Sequence, residues 1–132
     1  MRYLLDSHTM LWALTDHRKL SLKVKTILED SHHEIFVSAV TFWEISLKFA
    51  LGKLDLQGST PSDLPKAATD TGFTLLPLQP KDAASYHELN ADWHRDPFDR
   101  MLIQQAILNK LILLSKDKNI AQYQSTGLKV IW

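Results

Sequence analysis

The amino-acid sequence predicts an α/β domain with three layers (α/β/α), in which helices cover both faces of a central parallel β-sheet. Short β-prone runs alternate along the chain with longer segments whose apolar residues recur at helical spacing. Parallel neighbouring strands need crossover connections, and these are usually helices. A chain of 132 residues also has the length of one domain. We therefore expect a single domain spanning residues 1–132.

The first half of the chain contains two predicted strands and three predicted helices. Each helix begins at a serine, whose hydroxyl can accept a hydrogen bond from an N–H group of the first turn. Gly52 follows the third helix, at a position where glycine commonly ends a helix. In chain order the predicted elements are strand 3–5, a helix capped by Ser7, helix 21–30, strand 35–37 and helix 39–51, the last capped by Ser38.

The second half contains three more predicted strands and four more predicted helices. Turn-forming residues predict a loop over residues 52–61. Asp96 followed by Pro97 is typical of a helix cap followed by proline at the first helical position. The run at 111–114 is apolar throughout, as in a strand covered on both faces. In chain order the elements are helix 62–71, strand 73–78, helix 80–89, helix 97–109, strand 111–114, helix 117–123 and strand 128–131.

The composition limits the classes of function. Lys and Arg balance Asp and Glu at 15 each, so the net charge does not indicate a nucleic-acid partner, and any such binding must be local. The chain has no cysteine, which excludes disulfides, thiolate metal sites and a cysteine nucleophile. The first apolar run is too short for a signal peptide, and no stretch approaches 18 apolar residues. We expect a cytoplasmic protein without a membrane partner.

Two acids follow predicted strands. Asp6 comes directly after the first strand, and Asp117 lies three residues beyond the apolar run at 111–114. Ligand sites in parallel sheets lie beyond the carboxyl ends of the strands, which is where both acids fall. Each also has a structural interpretation, because Asp is common at helix N-caps and in turns.

Two further acids lie on apolar faces of predicted helices. Glu44 shares a face with Val40 and Leu47, and Asp99 precedes Leu102 at helical spacing. A carboxylate in an apolar stripe is costly unless it is paired or binds a metal ion. The structural alternatives are an ion pair of Glu44 with the lysine four residues later, and interaction of Asp99 with its helix N-terminus.

These four acids can converge at one edge of the predicted sheet. Uncompensated carboxylates in one place repel and raise each other's pKa, so a hard divalent cation is the natural stabiliser. Mg²⁺ takes oxygen ligands and keeps several waters, which suits an open carboxylate cluster that also binds a phosphate. Such ions activate water and stabilise a leaving oxygen, so the predicted reaction is phosphodiester hydrolysis.

Four segments, 4–8, 38–48, 94–103 and 115–117, resemble the PIN-domain family, and within it the VapC-type toxins of bacterial toxin–antitoxin pairs. The stretch from His94 to Arg100 is the most specific of them. The resemblance implies a PIN fold, endoribonuclease activity on single-stranded RNA with Mg²⁺ or Mn²⁺, a homodimer, and inhibition by a small antitoxin protein. By motif position it implies an acidic quartet that binds metal and catalyses, an accessory hydroxyl and one additional acid: Asp6, Glu44, Asp99 and Asp117, then Ser115, then Asp96.

Four cations lie close in sequence to these acids and are candidates for RNA binding. They could contact phosphates that flank the cleaved bond, although each could equally be an ordinary solvated charge. The candidates are Arg95, Arg100, Lys48 and Lys116. Aromatic residues near the acids, Trp12 and Trp43 among them, are expected mainly in the core, with some apolar surface of helix 39–51 left for a protein partner.

Three other functions remain open on sequence grounds. A histidine pair that includes His94 could cleave RNA without metal, but no spacing pairs it with a second histidine. Asp6 could accept a phosphoryl group in a Mg²⁺-dependent transfer domain. The chain could also be a non-catalytic PIN-like binding module, which acids at all four motif positions argue against.

Overall fold

A computed structural model describes residues 1–90 and 93–132 of the chain. Its centre is a five-stranded parallel sheet in the order β3-β2-β1-β4-β5. The predicted parallel sheet is therefore confirmed. Strand order reverses at β1, so the switch point of the sheet lies between β1 and β4. The strands are β1 Arg2–Leu5, β2 Glu34–Ser38, β3 Thr74–Leu76, β4 Ile112–Leu114 and β5 Lys129–Ile131.

Seven α-helices are found in the described residues, and none of them has both the length and the apolar character needed to span a bilayer. Short 3₁₀ turns replace parts of three predicted helices. In predicted helix 80–89 the Ser85 hydroxyl donates to the Asp82 carbonyl, a local bond that competes with helix continuation. The helices are α1 Ser7–Thr15, α2 Leu22–Glu29, α3 Ala39–Ala50, α4 Leu64–Asp70, α5 Pro80–Ala84, α6 Pro97–Asn109 and α7 Lys118–Ala121, with 3₁₀ turns His17–Lys19, Pro61–Asp63, Tyr86–Glu88 and Gln122–Thr126.

Most of the predicted helix caps are confirmed, and one is wrong. The side chains of Ser21, Ser38 and Asp96 accept hydrogen bonds from first-turn N–H groups. The cap of α1 is Asp6 rather than Ser7, since Asp6 Oδ1 accepts from the Thr9 amide at 2.8 Å. Ser7 is instead the first residue of α1, and its hydroxyl group contacts Glu44 of α3. A contact between residues so far apart in sequence has no local sequence pattern.

Two hydrophobic cores lie on opposite faces of the sheet. Side chains alternate along a strand, so Tyr3 and Leu5 enter one core while Leu4 enters the other. Residues of α1, α2 and α4 complete the first core, and residues of α6 and α7 complete the second. This arrangement confirms the three-layer α/β/α architecture.

Gln105 connects α6 to the carboxyl ends of both β2 and β3. This fully buried side chain accepts a hydrogen bond from Ser38 Oγ at 2.5 Å and donates to the Pro77 carbonyl at 3.3 Å. Ser38 Oγ also accepts from the Val40 amide at 3.0 Å and so caps α3. The start of α3 and the middle of α6 are thus held by one polar network.

Candidate active site

The candidate site lies at the carboxyl ends of β1 and β4, beside the switch point of the sheet. The Asp6 amide donates to the Leu114 carbonyl at 3.3 Å, so the ends of these strands adjoin. Ser115 follows β4 and is buried; its hydroxyl hydrogen-bonds the Asp6 carboxyl group and accepts from the Asp117 amide at 3.1 Å. The structure therefore links Asp6, Ser115 and Asp117.

Asp6 is almost completely enclosed, with 4% of its surface exposed. Burial raises the pKa of its carboxyl group above the ordinary value, and hydrogen bonds from Ser115 and Thr9 partly oppose the rise. The side chain is fixed at the N-cap of α1, so its orientation is set by the backbone. Asp117 likewise caps α7, where its Oδ1 accepts from the Asn119 amide at 2.8 Å.

Glu44 reaches the site from α3 and has 2% of its surface exposed. Its Oε1 accepts a hydrogen bond from Ser7 Oγ at 2.6 Å, and its Oε2 pairs with the Lys48 ammonium group. The predicted ion pair between Glu44 and the lysine four residues later is therefore confirmed. Burial lowers the pKa of Lys48, but its contact with Glu44 outweighs burial, so the pKa is raised overall.

Asp99 lies in the first turn of α6, three residues after the Asp96 cap. Its pKa is raised to about 8, first by burial and then by the negative charges of the other site acids. In decreasing order of effect these are Asp96, Glu44, Asp6 and Asp117. Position near a helix N-terminus normally favours a carboxylate, so here burial and repulsion exceed that benefit. The carboxyl groups from four separate elements thus act on one another electrostatically.

These side chains fit a divalent cation that takes few protein ligands. In residues 1–90 and 93–132, no three His, Asp or Glu side chains are arranged so that they could hold one ion together. A cation bound here would complete its coordination with water and phosphate oxygens, which is the usual habit of Mg²⁺. The donors are all carboxylate oxygens, the ligand type that Mg²⁺ prefers, and after burial their mutual repulsion is what raises the pKa of Asp99.

The four candidate RNA-binding cations separate into two groups. Arg100 is 9% exposed and donates to the Tyr123 hydroxyl at 2.7 Å and the Leu89 carbonyl at 2.8 Å. Its predicted contact with RNA phosphate is not supported by this interior placement. Lys48 is engaged with Glu44, whereas Arg95 and Lys116 are exposed beside the site acids. Sequence proximity alone could not separate the two groups.

His94 contacts an acid of the site rather than a second histidine. Its Nε2 lies 3.5 Å from Asp99 Oδ2, and its Nδ1 lies 3.0 Å from the Tyr123 hydroxyl. The sequence singled out His94 for a different role and did not indicate Tyr123 at all. Ser7, which donates to Glu44, was also missed, because a serine after a strand end looks like a helix cap.

A cavity of about 260 Å³ opens beside the carboxylates at the start of α1. It is lined by Asp6, His8, Trp12, Lys116 and Asp117. Trp12 is partly buried against the first core, whereas Trp43 on α3 is 61% exposed, so the expectation that these aromatic residues lie mainly in the core is wrong for Trp43.

A parallel sheet with carboxyl groups gathered at its switch point defines a class of α/β domains with an acidic site. The PIN domain family matches residues 3–125, and the chain belongs to this family. It is similar to Ribonuclease VapC22 of Mycobacterium tuberculosis, with 24% identity over 129 residues that cover 98% of this chain and 97% of the relative.

Solved structures share the fold across the whole chain. The structure of DNA-bound VapBC from Salmonella typhimurium matches with a TM-score of 0.68 at 12% identity, covering 99% of this chain and 97% of the other. FitAcB from Neisseria gonorrhoeae matches with a TM-score of 0.62 at 20% identity, covering 100% and 97%. Both likenesses place the five strands and their helices in the PIN fold.

Proposed function

We propose that this chain is a metal-dependent endoribonuclease that hydrolyses phosphodiester bonds in single-stranded RNA and acts as the VapC-type toxin of a toxin–antitoxin pair in the cytoplasm. The observation that carries the proposal is the convergence of acidic side chains from separate elements at the carboxyl edge of the sheet, around partly buried Asp99, whose pKa is raised first by burial and then by four neighbouring acids. Membership of the PIN family and similarity to Ribonuclease VapC22 support the reaction class.

Asp6, Glu44, Asp99 and Asp117 would hold Mg²⁺ or Mn²⁺, with no more than two of these side chains on any one ion in the described arrangement and with water and phosphate oxygens as the other ligands. A divalent ion bound there supplies positive charge that activates water and stabilises charge on the leaving oxygen. We assign the accessory role to Ser115, because its hydroxyl group hydrogen-bonds the Asp6 carboxyl group and accepts from the Asp117 amide. Asp96 acts as a structural residue, because its Oδ1 accepts from both Phe98 and Asp99 amides.

The remaining contribution of the chain is to fix these acids and to bind the RNA backbone. Asp6 and Glu44 are held by hydrogen bonds from Thr9 and Ser7, so they lose little conformational freedom when a cation binds. Exposed Arg95 and Lys116 are the cations that we assign to phosphates flanking the cleaved bond.

The test is cleavage of a fluorescently labelled single-stranded RNA by the purified protein with Mg²⁺ or Mn²⁺, repeated with EDTA. We expect cleavage that EDTA stops and that Asp99→Asn and Asp6→Asn each reduce at least about 100-fold, because the amide keeps the shape and removes the charge. Asp70→Asn is the matched control, since Asp70 is an exposed acid paired with Lys66. Undiminished cleavage in EDTA, with contaminating nuclease excluded, would refute the metal mechanism.

Phosphoryl transfer to Asp6 is less well supported. Asp6 is buried, its Oδ1 is engaged by the Thr9 amide at 2.8 Å, and Ser115 hydrogen-bonds the same carboxyl group. An acid-labile phosphate on Asp6 after incubation with a phosphoryl donor would favour transfer over hydrolysis. A protein that binds RNA but neither cuts it nor accepts phosphate would instead be a non-catalytic module.

The partners that we propose are RNA, a cognate antitoxin and a second copy of this chain. An exposed apolar stripe runs along α3, where Trp43 is 61% exposed and Leu47 and Leu51 follow at successive turns. Such a stripe gives a protein partner apolar contact area beside Glu44. Similarity to VapC22 and to the VapBC structures supports an antitoxin as one of these partners.

A further inference from the structure

The cavity beside Asp6 and Asp117 has an aromatic wall that the hydrolytic chemistry does not require. His8 and Trp12 lie four residues apart on α1 and so share one helix face. Their ring centroids are 5.8 Å apart with planes inclined by 36°. Both rings line the cavity together with exposed Lys116. We call His8, Trp12 and Lys116 the Trp12 subsite.

The Trp12 ring is held in place from behind. It packs partly against the first hydrophobic core, and its centroid lies 5.9 Å from that of Trp132 at an edge-to-face angle of 65°. Lys19 Nζ lies 5.9 Å from the same centroid, and Lys19 and Trp12 both line a second, larger cleft. Trp12 therefore separates the cleft that contains Lys19 from the cavity that contains Asp6 and Asp117. Because the Trp12 side chain is only partly buried, part of its surface is available to a ligand.

We propose that the Trp12 subsite binds a nucleobase of the RNA substrate next to the cleaved phosphate; this rests on the proposed nuclease function. The volume of about 260 Å³ is just below the roughly 300–1,000 Å³ of pockets for drug-sized ligands, so it suits one planar ring system. Aromatic side chains bind single-stranded nucleic acids by stacking on the faces of bases.

The position of the subsite fixes which base it takes. Asp6 and Asp117 line the same cavity, so a base that stacks on Trp12 belongs to a nucleotide whose phosphate lies at the acids. Lys116 adjoins Asp117 and supplies a positive charge for that nucleotide's phosphate. The pairing of an exposed lysine with an aromatic ring that keeps free surface is what single-stranded RNA uses, the lysine for the phosphate and the ring for the base, so we commit to RNA as the occupant.

The test combines protein variants with RNA that lacks a base. The probe is a labelled single-stranded RNA whose cut by the wild type has been mapped, and the same RNA with an abasic ribose on either side of the cut. Trp12→Ala should raise KM for the intact RNA about tenfold with kcat within about twofold, the loss expected for one stacked base. Trp12→Phe should keep most of the affinity, because phenylalanine also presents an aromatic face.

The decisive result is the double-mutant cycle. If Trp12 stacks on the base, then removing that base from the RNA raises KM for the wild type and leaves KM of Trp12→Ala unchanged. The proposal is wrong if Trp12→Ala and removal of the base have additive effects on KM at both nucleotides beside the cut, or if Trp12→Ala has the wild-type KM. Neither result would contradict the proposed nuclease function.

Two further measurements distinguish loss of the subsite from loss of folding and from loss of activity. Melting curves report whether Trp12→Ala is folded. His8→Ala is a second variant of the cavity, and because His8 is exposed its loss removes little packing. His87→Ala is its control, because His87 is an exposed histidine outside the cavity. Anisotropy of the labelled RNAs in EDTA repeats the cycle as binding, so a protein that cuts no RNA still tests the subsite. Loss of antitoxin affinity without loss of RNA affinity in Trp12→Ala would assign the cavity to a protein contact and overturn the proposal.

Discussion

His94 Nε2 lies 3.5 Å from Asp99 Oδ2 and is buried without a hydrogen-bond partner in the described part of the chain. The other ring nitrogen, Nδ1, lies 3.0 Å from the Tyr123 hydroxyl. That hydroxyl accepts from Arg100 Nη1 at 2.7 Å, and the acceptors for its own proton are His94 Nδ1 at 3.0 Å and the His94 carbonyl at 3.4 Å. We assign the proton to the nearer acceptor, Nδ1, so the ring proton is on Nε2, which faces Asp99.

His94 is accordingly a positioning residue for Asp99 in the proposed nuclease. We expect His94→Ala to lower kcat about 10- to 100-fold with little change in KM, as is typical for residues that orient a metal-binding side chain. His94→Gln should recover part of the loss, because its amide can donate to Asp99. An unchanged kcat in a folded His94→Ala variant would show that His94 does not position Asp99 for the reaction.

The raised pKa of Asp99 predicts how pH affects the stability of the metal-free protein. The pKa rises from 3.8 to about 8, so between these pH values the folded protein keeps a proton that the unfolded chain has lost. The contribution of Asp99 to stability is therefore present at low pH and is lost as the pH rises towards 8. The slope for one group is at most about 1.4 kcal/mol per pH unit.

Asp99→Asn should remove this slope. We expect the variant to gain stability relative to the wild type as the pH rises from about 4 to about 8, in urea unfolding curves recorded with EDTA. Asp70→Asn, which changes an exposed acid, should follow the wild type at every pH. Parallel curves for wild type and Asp99→Asn would show that Asp99 ionises normally in the folded chain.

Lys48 occupies the position that a cation would take at Glu44. Lys48→Met should destabilise the metal-free protein by about 1–3 kcal/mol, because it leaves buried Glu44 without its counter-charge. It should also enlarge the rise in melting temperature caused by Mn²⁺, since the ammonium group no longer competes for the carboxylate.

Lys66→Met is the matched control, because Lys66 forms an exposed ion pair with Asp70 at the same helical spacing. Its melting temperature and its response to Mn²⁺ should stay close to those of the wild type. An equal response to Mn²⁺ in the Lys48 and Lys66 variants would show that Glu44 is not a metal ligand.

The last prediction concerns inhibition by the proposed antitoxin. We expect an arginine of the antitoxin to enter the acidic quartet of Asp6, Glu44, Asp99 and Asp117, because a guanidinium group pairs bidentately with carboxylates and displaces metal. This chain should be co-expressed with the protein that the adjacent gene encodes, as the candidate antitoxin, and the complex should be purified. Each arginine in the tail of that protein is then replaced by alanine. At least one replacement should restore RNA cleavage at high Mn²⁺ while binding persists through apolar contacts. If all of them still block cleavage, inhibition is steric.

Features set by neighbouring residues were predictable from the sequence. Ser38 and Asp96 cap their helices as predicted, because a cap needs only the side chain and the amides that directly follow it. The parallel sheet followed from alternating strands and helices, and the acids at its edge followed from the sheet. The short 3₁₀ turns were not predictable, since their hydrogen bonds compete closely with those of an α-helix.

Contacts between distant residues were not predictable. Ser7 donates to Glu44 across 37 positions, and Arg100 donates to Tyr123 across 23. Neither pairing has a signature in local periodicity, so the sequence indicates a cap at Ser7 and an RNA-binding or solvated cation at Arg100. The partly exposed Trp12 was likewise assigned to the core, because an aromatic residue at helical spacing carries no information about a cavity formed by another element.

Gln105 makes the spacing between two of the site acids a shared property of two helices. Glu44 is carried by α3 and Asp99 by α6, and the bond between Ser38 and Gln105 fastens the first turn of α3 to the body of α6. This hydrogen bond opposes separation of the two helices, so it helps to fix the spacing of the two carboxyl groups that they carry. The geometry of the site thus depends in part on a buried glutamine that is not itself one of the site acids.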